Sequence, residues 1–271
     1  MSHDHHHHHD DEEGHHHHGL PRISSPEERE LLKPFIDDLH EFLRSALAGV
    51  DGPIAEIGAG DGVVAQRLRD DGFDVVAIDA NAETAAAATE QGRAVEHGDW
   101  LTWDGAGKAP FAALLFTRSL HHIEPLEQAT AQMLRLAPGG LLIADEFGYE
   151  RVDAAGAQFL MDSWTLLAAA GMRDDEEYSP TPDPLAAWHE RMTVEHEVTS
   201  SERLLEAIAE VGVIEETDYG SFMAQLVMWR VDPAHPRAVE VRDLLVETEE
   251  ARAGAGLLAK AGIRLTARLN S

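Results

Sequence analysis

Apolar residues fall along this chain in two rhythms. Short, nearly unbroken runs (Ile54 to Ile57, Val75 to Ile78, Phe111 to Phe116, Leu141 to Ala144) alternate with stretches in which apolar positions recur every three or four residues. The runs have the length of buried strands and the stretches that of amphipathic helices. Alternation of this kind predicts a largely parallel sheet with helices on both faces, because a strand covered on both sides has no polar face to present.

The remaining elements follow from the same rules. Ser25-Pro26-Glu27-Glu28 is a helix start, with a capping serine, proline at the first helical position and acids in the first turn. Leu31, Leu32, Phe35, Ile36, Leu39, Phe42, Leu43 and Leu47 continue it at helical spacing. Helices are also predicted from Val63 to Gly72, Ala82 to Gln91, Ile123 to Leu136, Ala154 to Met172, Ser201 to Val211 and Arg237 to Lys260. Arg93 to Glu96 reads as a third strand and Ile214 to Tyr219 as a sixth. Gly262 to Leu269 alternates cleanly between faces and is a half-buried strand. Phe222 to Val231 fits strand or helix equally. Asp174 to Pro184 is an acid- and proline-rich loop.

The stretch from Pro53 to Asp79 organises the rest. A strand ends on Gly58, Gly60 and Gly62, a short helix follows, and a second strand ends on Asp79. Glycines let a backbone pass close to a ligand, and a helix amino end presents free N–H groups. An acid 21 residues beyond Gly58 is placed to accept both hydrogen bonds of a ribose diol. An adenosine-type cofactor fits this arrangement. The dinucleotide pattern G-x-G-x-x-G is not met, since Val63 stands where its third glycine belongs.

Glu56-Ile57-Gly58-Ala59-Gly60-Asp61-Gly62 instead resembles the first motif of the class I S-adenosylmethionine-dependent methyltransferases, E/D-x-G-x-G-x-G. Ala137-Pro138-Gly139-Gly140 resembles that family's L-x-P-G-G turn, and Leu120-His121-His122 the Leu-His-His stretch that follows its fourth strand. The likeness is good from Gly52 to Gly148 and looser beyond, and it is closest to bacterial members acting on small molecules not yet assigned. It implies a Rossmann-like, doubly wound α/β sheet of seven strands with the last antiparallel. It also implies a helical lid inserted at about 149–200, within a methyltransferase domain spanning 25–271. S-adenosyl-L-methionine is then the expected cofactor, held by Glu56, Gly58, Ala59, Gly60, Gly62, Asp79, Ala80, Asp99, Trp100, Thr117 and Ser119. Among these the family assigns Asp99 to the adenine amino group and its neighbour Trp100 to the ring, although plain core packing suits Trp100 as well. Gly58, Asp79, Asp99, Ser119 and Asp145 all fall where a predicted parallel strand runs out, the edge at which open α/β sheets bind ligands.

Methyl transfer to an oxygen or a protonated nitrogen needs a base with a pKa near the working pH. His121, His122 and Glu146 are the candidates at the strand tips. The insertion offers Trp188, His189 and His196 toward a substrate.

Composition narrows the partners. The chain has 271 residues, 50 acids against 21 Lys and Arg, and a formal net charge of −29. Such a surface repels phosphate backbones, so nucleic acid is a poor substrate and a small molecule the expected one. There is no cysteine for a disulfide, a thiolate metal site or a nucleophile. No apolar run suits a membrane span and no signal-peptide pattern precedes the domain, so a cytoplasmic enzyme is expected. Residues 1–24 are expected to be a disordered tail, since ten of the 17 histidines, interleaved with Asp and Glu, crowd into Met1 to Gly19. His5, His7, His9, His15 and His17 are candidate ligands for a divalent metal; the folded domain offers none. Two alternatives accompany the enzyme: a non-catalytic S-adenosylmethionine-binding protein with a metal-buffering tail, and a nucleotide-dependent oxidoreductase.

Overall fold

The capping pattern at Ser25 starts a long helix as expected. In the computed structural model, which describes residues 25–173 and 180–271, α1 runs from Pro26 to Ala46. The Ser25 side chain accepts from the Glu28 N–H and the Glu28 carboxylate accepts from the Ser25 N–H, so two of the helix's otherwise unmet amides are satisfied. The histidine-rich tail and the stretch 174–179 lie outside the described residues.

The predicted alternation then follows in order: β1 (Ile54–Ile57), α2 (Val63–Asp70), β2 (Val75–Asp79), α3 (Ala82–Glu90), β3 (Glu96–His97), β4 (Ala113–Thr117), α4 (Leu126–Leu136) and β5 (Leu141–Phe147). The second half adds α5 (Ala154–Ala169), α6 (Pro184–Glu190), α7 (Ser201–Val211), β6 (Gly212–Gly220), α8 (Met223–Met228), α9 (Ala238–Gly254) and β7 (Gly262–Leu269). The sheet has seven strands in the order β3-β2-β1-β4-β5-β7-β6. Strands β1 to β5 pair in parallel, and β7 enters antiparallel between β5 and β6. This is the Rossmann-like arrangement that the resemblance implied.

Three points on which the sequence reading differed or was open have a tertiary reason. The third strand is Glu96–His97 rather than Arg93 to Glu96, because only the residues beside Ile78 and Asp79 find a partner. The fifth strand continues three residues past Ala144, since β7 pairs with it as far as Gly262 against Phe147. Asp145 and Glu146 therefore sit within the strand. The ambiguous segment after Ser221 is a helix, α8. The Glu249 carboxylate, reaching across from α9 and only 2% exposed, accepts from the amides of Phe222, Met223 and Ala224 at 2.7–2.8 Å. A carboxylate at a helix amino end meets both its open donors and its positive pole, a partner no local pattern could reveal.

Apolar side chains divide into three main layers. Leu39, Leu43 and Leu47 of α1 pack with α2 and α3 on one face of the sheet. The other face is covered by α4 and α7, together with Trp100 and Trp103. A third cluster caps the carboxyl end of β5, where Phe159, Leu160 and Trp164 of α5 meet Trp188 of α6 and Met223 and Val227 of α8. This cluster joins residues from both halves of the chain, and burying side chains of this size contributes roughly 1.5–3 kcal/mol each. Among the described residues no helix is long and apolar enough to cross a membrane.

Candidate functional site

The site begins where β1 ends. Gly58, Gly60 and Gly62 all adopt left-handed φ values, +70°, +56° and +73°, which carry the chain from strand to helix in five residues. A methyl group added at Gly58 would lie 2.4 Å from the Ser119 Cβ, and at Gly62 2.5 Å from a Val95 methyl. At Gly60 an added methyl would meet nothing within 4 Å. The outer two glycines are therefore demanded by packing, while the middle one leaves bare backbone facing open space.

Asp79 stitches this loop to its neighbours. One carboxylate oxygen accepts the Gly60 N–H and the other the Asn81 N–H, both at 2.8 Å. Ala59 donates to the Ile78 carbonyl and Gly98 to the Asp79 carbonyl. Each carboxylate oxygen keeps a second lone pair for a ligand hydroxyl. Asp99 follows Gly98 directly, its carboxylate accepting the Leu101 N–H at 3.0 Å, so both acids stand on the carboxyl edge of β2 and β3. Ala80 lies between Asp79 and the Asn81 cap of α3.

Two members of the predicted set are drawn inward. Trp100 is 3% exposed, donates its indole N–H to the Ala129 carbonyl and meets Phe116 edge-on, which puts it in the core rather than at a surface that a nucleobase could reach. Glu56 is equally buried behind the loop. One of its oxygens accepts the Thr117 hydroxyl at 3.1 Å, and burial pushes its carboxyl up to about 8 against that hydrogen bond. Thr117 is thereby committed to Glu56.

After β4 the chain makes a sharp turn held by β5. Glu146 accepts the amides of Ser119 and Leu120 at 3.1 and 2.8 Å through one oxygen and pairs with His121 Nδ1 through the other. Ser119 donates its hydroxyl to the Ile57 carbonyl, closing this turn against the glycine loop. The 3₁₀ turn Leu120–His122 places His121 wholly inside, its ring edge-on to Phe147 and 4.2 Å from that of His122, with Nε2 buried and without a hydrogen-bond partner among the described residues. The three residues suggested as bases are thus brought together, with both Glu146 oxygens already hydrogen-bonded.

The insertion residues are not gathered in the same way. Trp188 is 1% exposed in the third core cluster and donates to the Tyr149 carbonyl, and His189 meets the Tyr149 ring edge-on. His196 follows the π-helical turn Arg191–Glu195. Thr199, which the sequence did not single out, ties the insertion to the site by donating its N–H to the His121 carbonyl and its hydroxyl to Glu124. Asp145 was expected at a strand tip, but its pairing with Arg118 was not legible. The two pair at 3.0 Å, Asp145 also meets Arg264 of β7, and Arg264 meets Asp38 of α1. A run of Thr, Arg and Ser at a strand end signals nothing until the strands are aligned. An open hollow of about 640 Å³ lies at the other edge of the sheet, lined by Val50, Pro53, Phe111, Gly139 and Arg268, where the parallel strands begin.

Comparison with known proteins agrees with this architecture. A family described as a methyltransferase domain matches residues 28–186, and the chain belongs to it, as a class I S-adenosylmethionine-dependent methyltransferase. No curated protein sequence matches the chain. Among solved structures, geranyl diphosphate C-methyltransferase from Streptomyces coelicolor A3(2) is 14% identical, with 94% of this chain and 91% of that one covered and a TM-score of 0.55. The PH0226 protein from Pyrococcus horikoshii OT3 is 15% identical over 93% of this chain and 95% of that one, also at 0.55. Phosphoethanolamine N-methyltransferase 2 from Haemonchus contortus is 12% identical over 87% and 53%, at 0.55. At these identities the likeness is one of fold. Membership of the family displaces the oxidoreductase alternative.

Glu56 gives this site a pH signature. Above pH 4.5 the unfolded chain gives up the Glu56 proton, whereas the native protein holds it to about pH 8. Between those values the native state binds the extra proton, so this residue makes stability fall as pH rises. The variant Glu56→Gln has no proton to lose and is expected to gain on the wild type by on the order of 5 kcal/mol between pH 5 and 8.5. Urea unfolding at several pH values measures it, and parallel profiles for the two proteins would contradict a proton held on Glu56.

Proposed function

We propose that this enzyme transfers a methyl group to a small-molecule acceptor, with the donor held at the carboxyl edge of β1, β2, β3 and β4. The observation that carries the reading is the Asp79 carboxylate, fixed by Gly60 and Asn81 beside a stretch of bare backbone, with lone pairs left for a diol. Gly58, Ala59, Gly60 and Gly62 form the cradle, Ala80 flanks the diol site, and Asp99 serves the base. Glu56, Thr117, Ser119 and Trp100 shape the pocket from behind. S-adenosylmethionine, when bound, supplies a methyl already activated by the positive sulfur and moved by in-line displacement, so the protein's share is alignment and exclusion of water, effects worth on the order of 7–11 kcal/mol.

The proton, where the acceptor has one to lose, goes to His121. Glu146 can only accept at His121 Nδ1, which places the ring proton there and leaves the lone pair on Nε2. Glu146 is then a positioning residue and His122 a neighbour that packs against the ring. The acceptor chamber lies under the insertion at about 149–200, whose His189 and His196 are its polar candidates. Two of the similar structures are methyltransferases of geranyl diphosphate and of phosphoethanolamine, both small molecules, which supports this class without selecting a member. The tail of ten histidines in Met1 to Gly19 is proposed to bind a borderline divalent ion such as Zn²⁺ independently of catalysis.

Three measurements test these assignments. Asp79→Ala is expected to raise the dissociation constant for S-adenosylmethionine at least tenfold, the loss of a charge-assisted pair; unchanged affinity in calorimetry would refute the pocket. His121→Ala and Glu146→Gln are expected to lower methyl transfer from labelled donor into a metabolite extract about a hundredfold. Donor affinity should stay near normal, and the fall in rate on the acid side, where a general base is protonated and idle, should be lost. Full activity in both would remove the base from this pair. Deleting residues 1–19 is expected to abolish Zn²⁺ uptake in equilibrium dialysis and leave methyl transfer intact; undiminished uptake would place the metal elsewhere.

A further inference from the structure

Arg118 stands at the tip of β4 and is left half satisfied. It is 3% exposed and adopts φ +60°, a left-handed backbone that a side chain disfavours and that recurs where function holds a residue in place. Its own N–H donates to the Asp145 carbonyl at 2.7 Å, which fixes that conformation. Nε and one terminal nitrogen of the guanidinium both meet the same Asp145 oxygen, at 3.1 and 3.0 Å. The other terminal nitrogen, Nη1, is buried with no hydrogen-bond partner among the described residues.

The surroundings do not complete it. Asp145 is shared, because Arg264 takes its second oxygen at 2.7 Å. Glu146, the next carboxylate, is occupied by Ser119, Leu120 and His121. Phe222 lies 5.0 Å beneath the guanidinium and is itself stacked on Phe147, with Trp229 edge-on, so the nearest wall is aromatic and accepts nothing along the guanidinium plane. Burial works against the charge on Arg118 and Asp145 opposes that effect only in part. If Asp145 needed only one cation, Arg264 would already supply it. The end-on fork of a buried guanidinium is a shaped receptor for a planar pair of oxygens.

We propose that this free edge of Arg118 receives the carboxylate of a small molecule bound at the strand tips, an assignment that rests on reading those tips as the methyl-transfer site. Two molecules there can carry the group: the donor, through its methionine end, or the acceptor, through an acid of its own. In a chain of net charge −29, a buried cation of this kind selects for an acid that the surface would otherwise repel.

Calorimetry on the full chain separates the sources. S-adenosylhomocysteine carries the methionine carboxylate and 5′-methylthioadenosine lacks it. If the donor is the source, the preference for S-adenosylhomocysteine falls at least tenfold in Arg118→Gln and Arg118→Lys, with 5′-methylthioadenosine unaffected. If the acceptor is the source, that preference is unchanged, and the wild type loaded with S-adenosylhomocysteine binds benzoate or acetate at least tenfold tighter than the matching amide, a difference both variants lose. Arg118→Lys keeps the ion pair to Asp145 and so reports on recognition even where Arg118→Gln fails to fold. An unchanged nucleoside preference together with equal binding of acids and amides overturns the proposal. A wild type that binds neither nucleoside overturns the methyl-transfer reading instead.

Discussion

Two turns of this chain touch at a point where there is room for no more than a hydrogen atom. Gly58 ends β1 and Ser119 follows β4, and the space between them would not admit a Cβ on the glycine. That contact aligns the tips of the two central strands, and the other site contacts are hung from them. The Ser119 hydroxyl locks the pair through the Ile57 carbonyl, Asp79 draws Gly60 toward β2, and Glu146 gathers the amides beyond Ser119. A parallel sheet carries its ligands at this edge because here the strands end in loops that are free to vary in sequence. In this protein the freedom is spent on carboxylates that bind backbone N–H groups, and the loops are held at their ends.

Charge is distributed in two ways. The surface is strongly acidic, and α1 is fastened to α2 and its cap by ion pairs of Asp37 with Arg67 and of Asp71 with Arg44, with His40 beside the same Asp71 carboxylate. Pairs as exposed as these contribute little individually. Arg118, Asp145, Arg264 and Asp38 alternate in sign from the buried tip of β4 out to the exposed Asp38 of α1. At its buried end such a chain is costly to break, because removal of Arg118 or Asp145 strands the other in a medium of low dielectric. It joins the helix that covers one face of the sheet to the turn beside the candidate base.

Much of the fold was legible from residue spacing. The four central strands, the glycine loop, the acid at the end of β2 and the half-buried last strand all follow from periodicity and turn chemistry, which act over a few residues. The antiparallel direction of that strand was implied by the family resemblance. The partners of those residues were less legible. Trp100 and Trp188 are polar-tipped aromatics in polar stretches, and only packing shows that each turns inward to a carbonyl of another element. Glu56 reads as part of a loop motif but lies behind the loop, bonded to Thr117 of the neighbouring strand. Glu249 and Thr199 carry no sequence signal whatever, since what they bind lies 25 to 27 and 78 residues away in the chain.

The sequence by itself determined the class of protein. Strand and helix periods, three glycines at the right spacing and one acid about twenty residues on are local constraints, and each leaves a mark in the residue that must satisfy it. Tertiary structure alone decided which polar groups are saturated and which retain an unused valence. Both Glu146 oxygens are engaged by the Ser119–His121 turn, while among the described residues His121 and Arg118 each keep one nitrogen unmatched. Hydrogen-bond satisfaction is a property of pairs brought together from distant elements, so no reading of one residue and its chain neighbours can supply it.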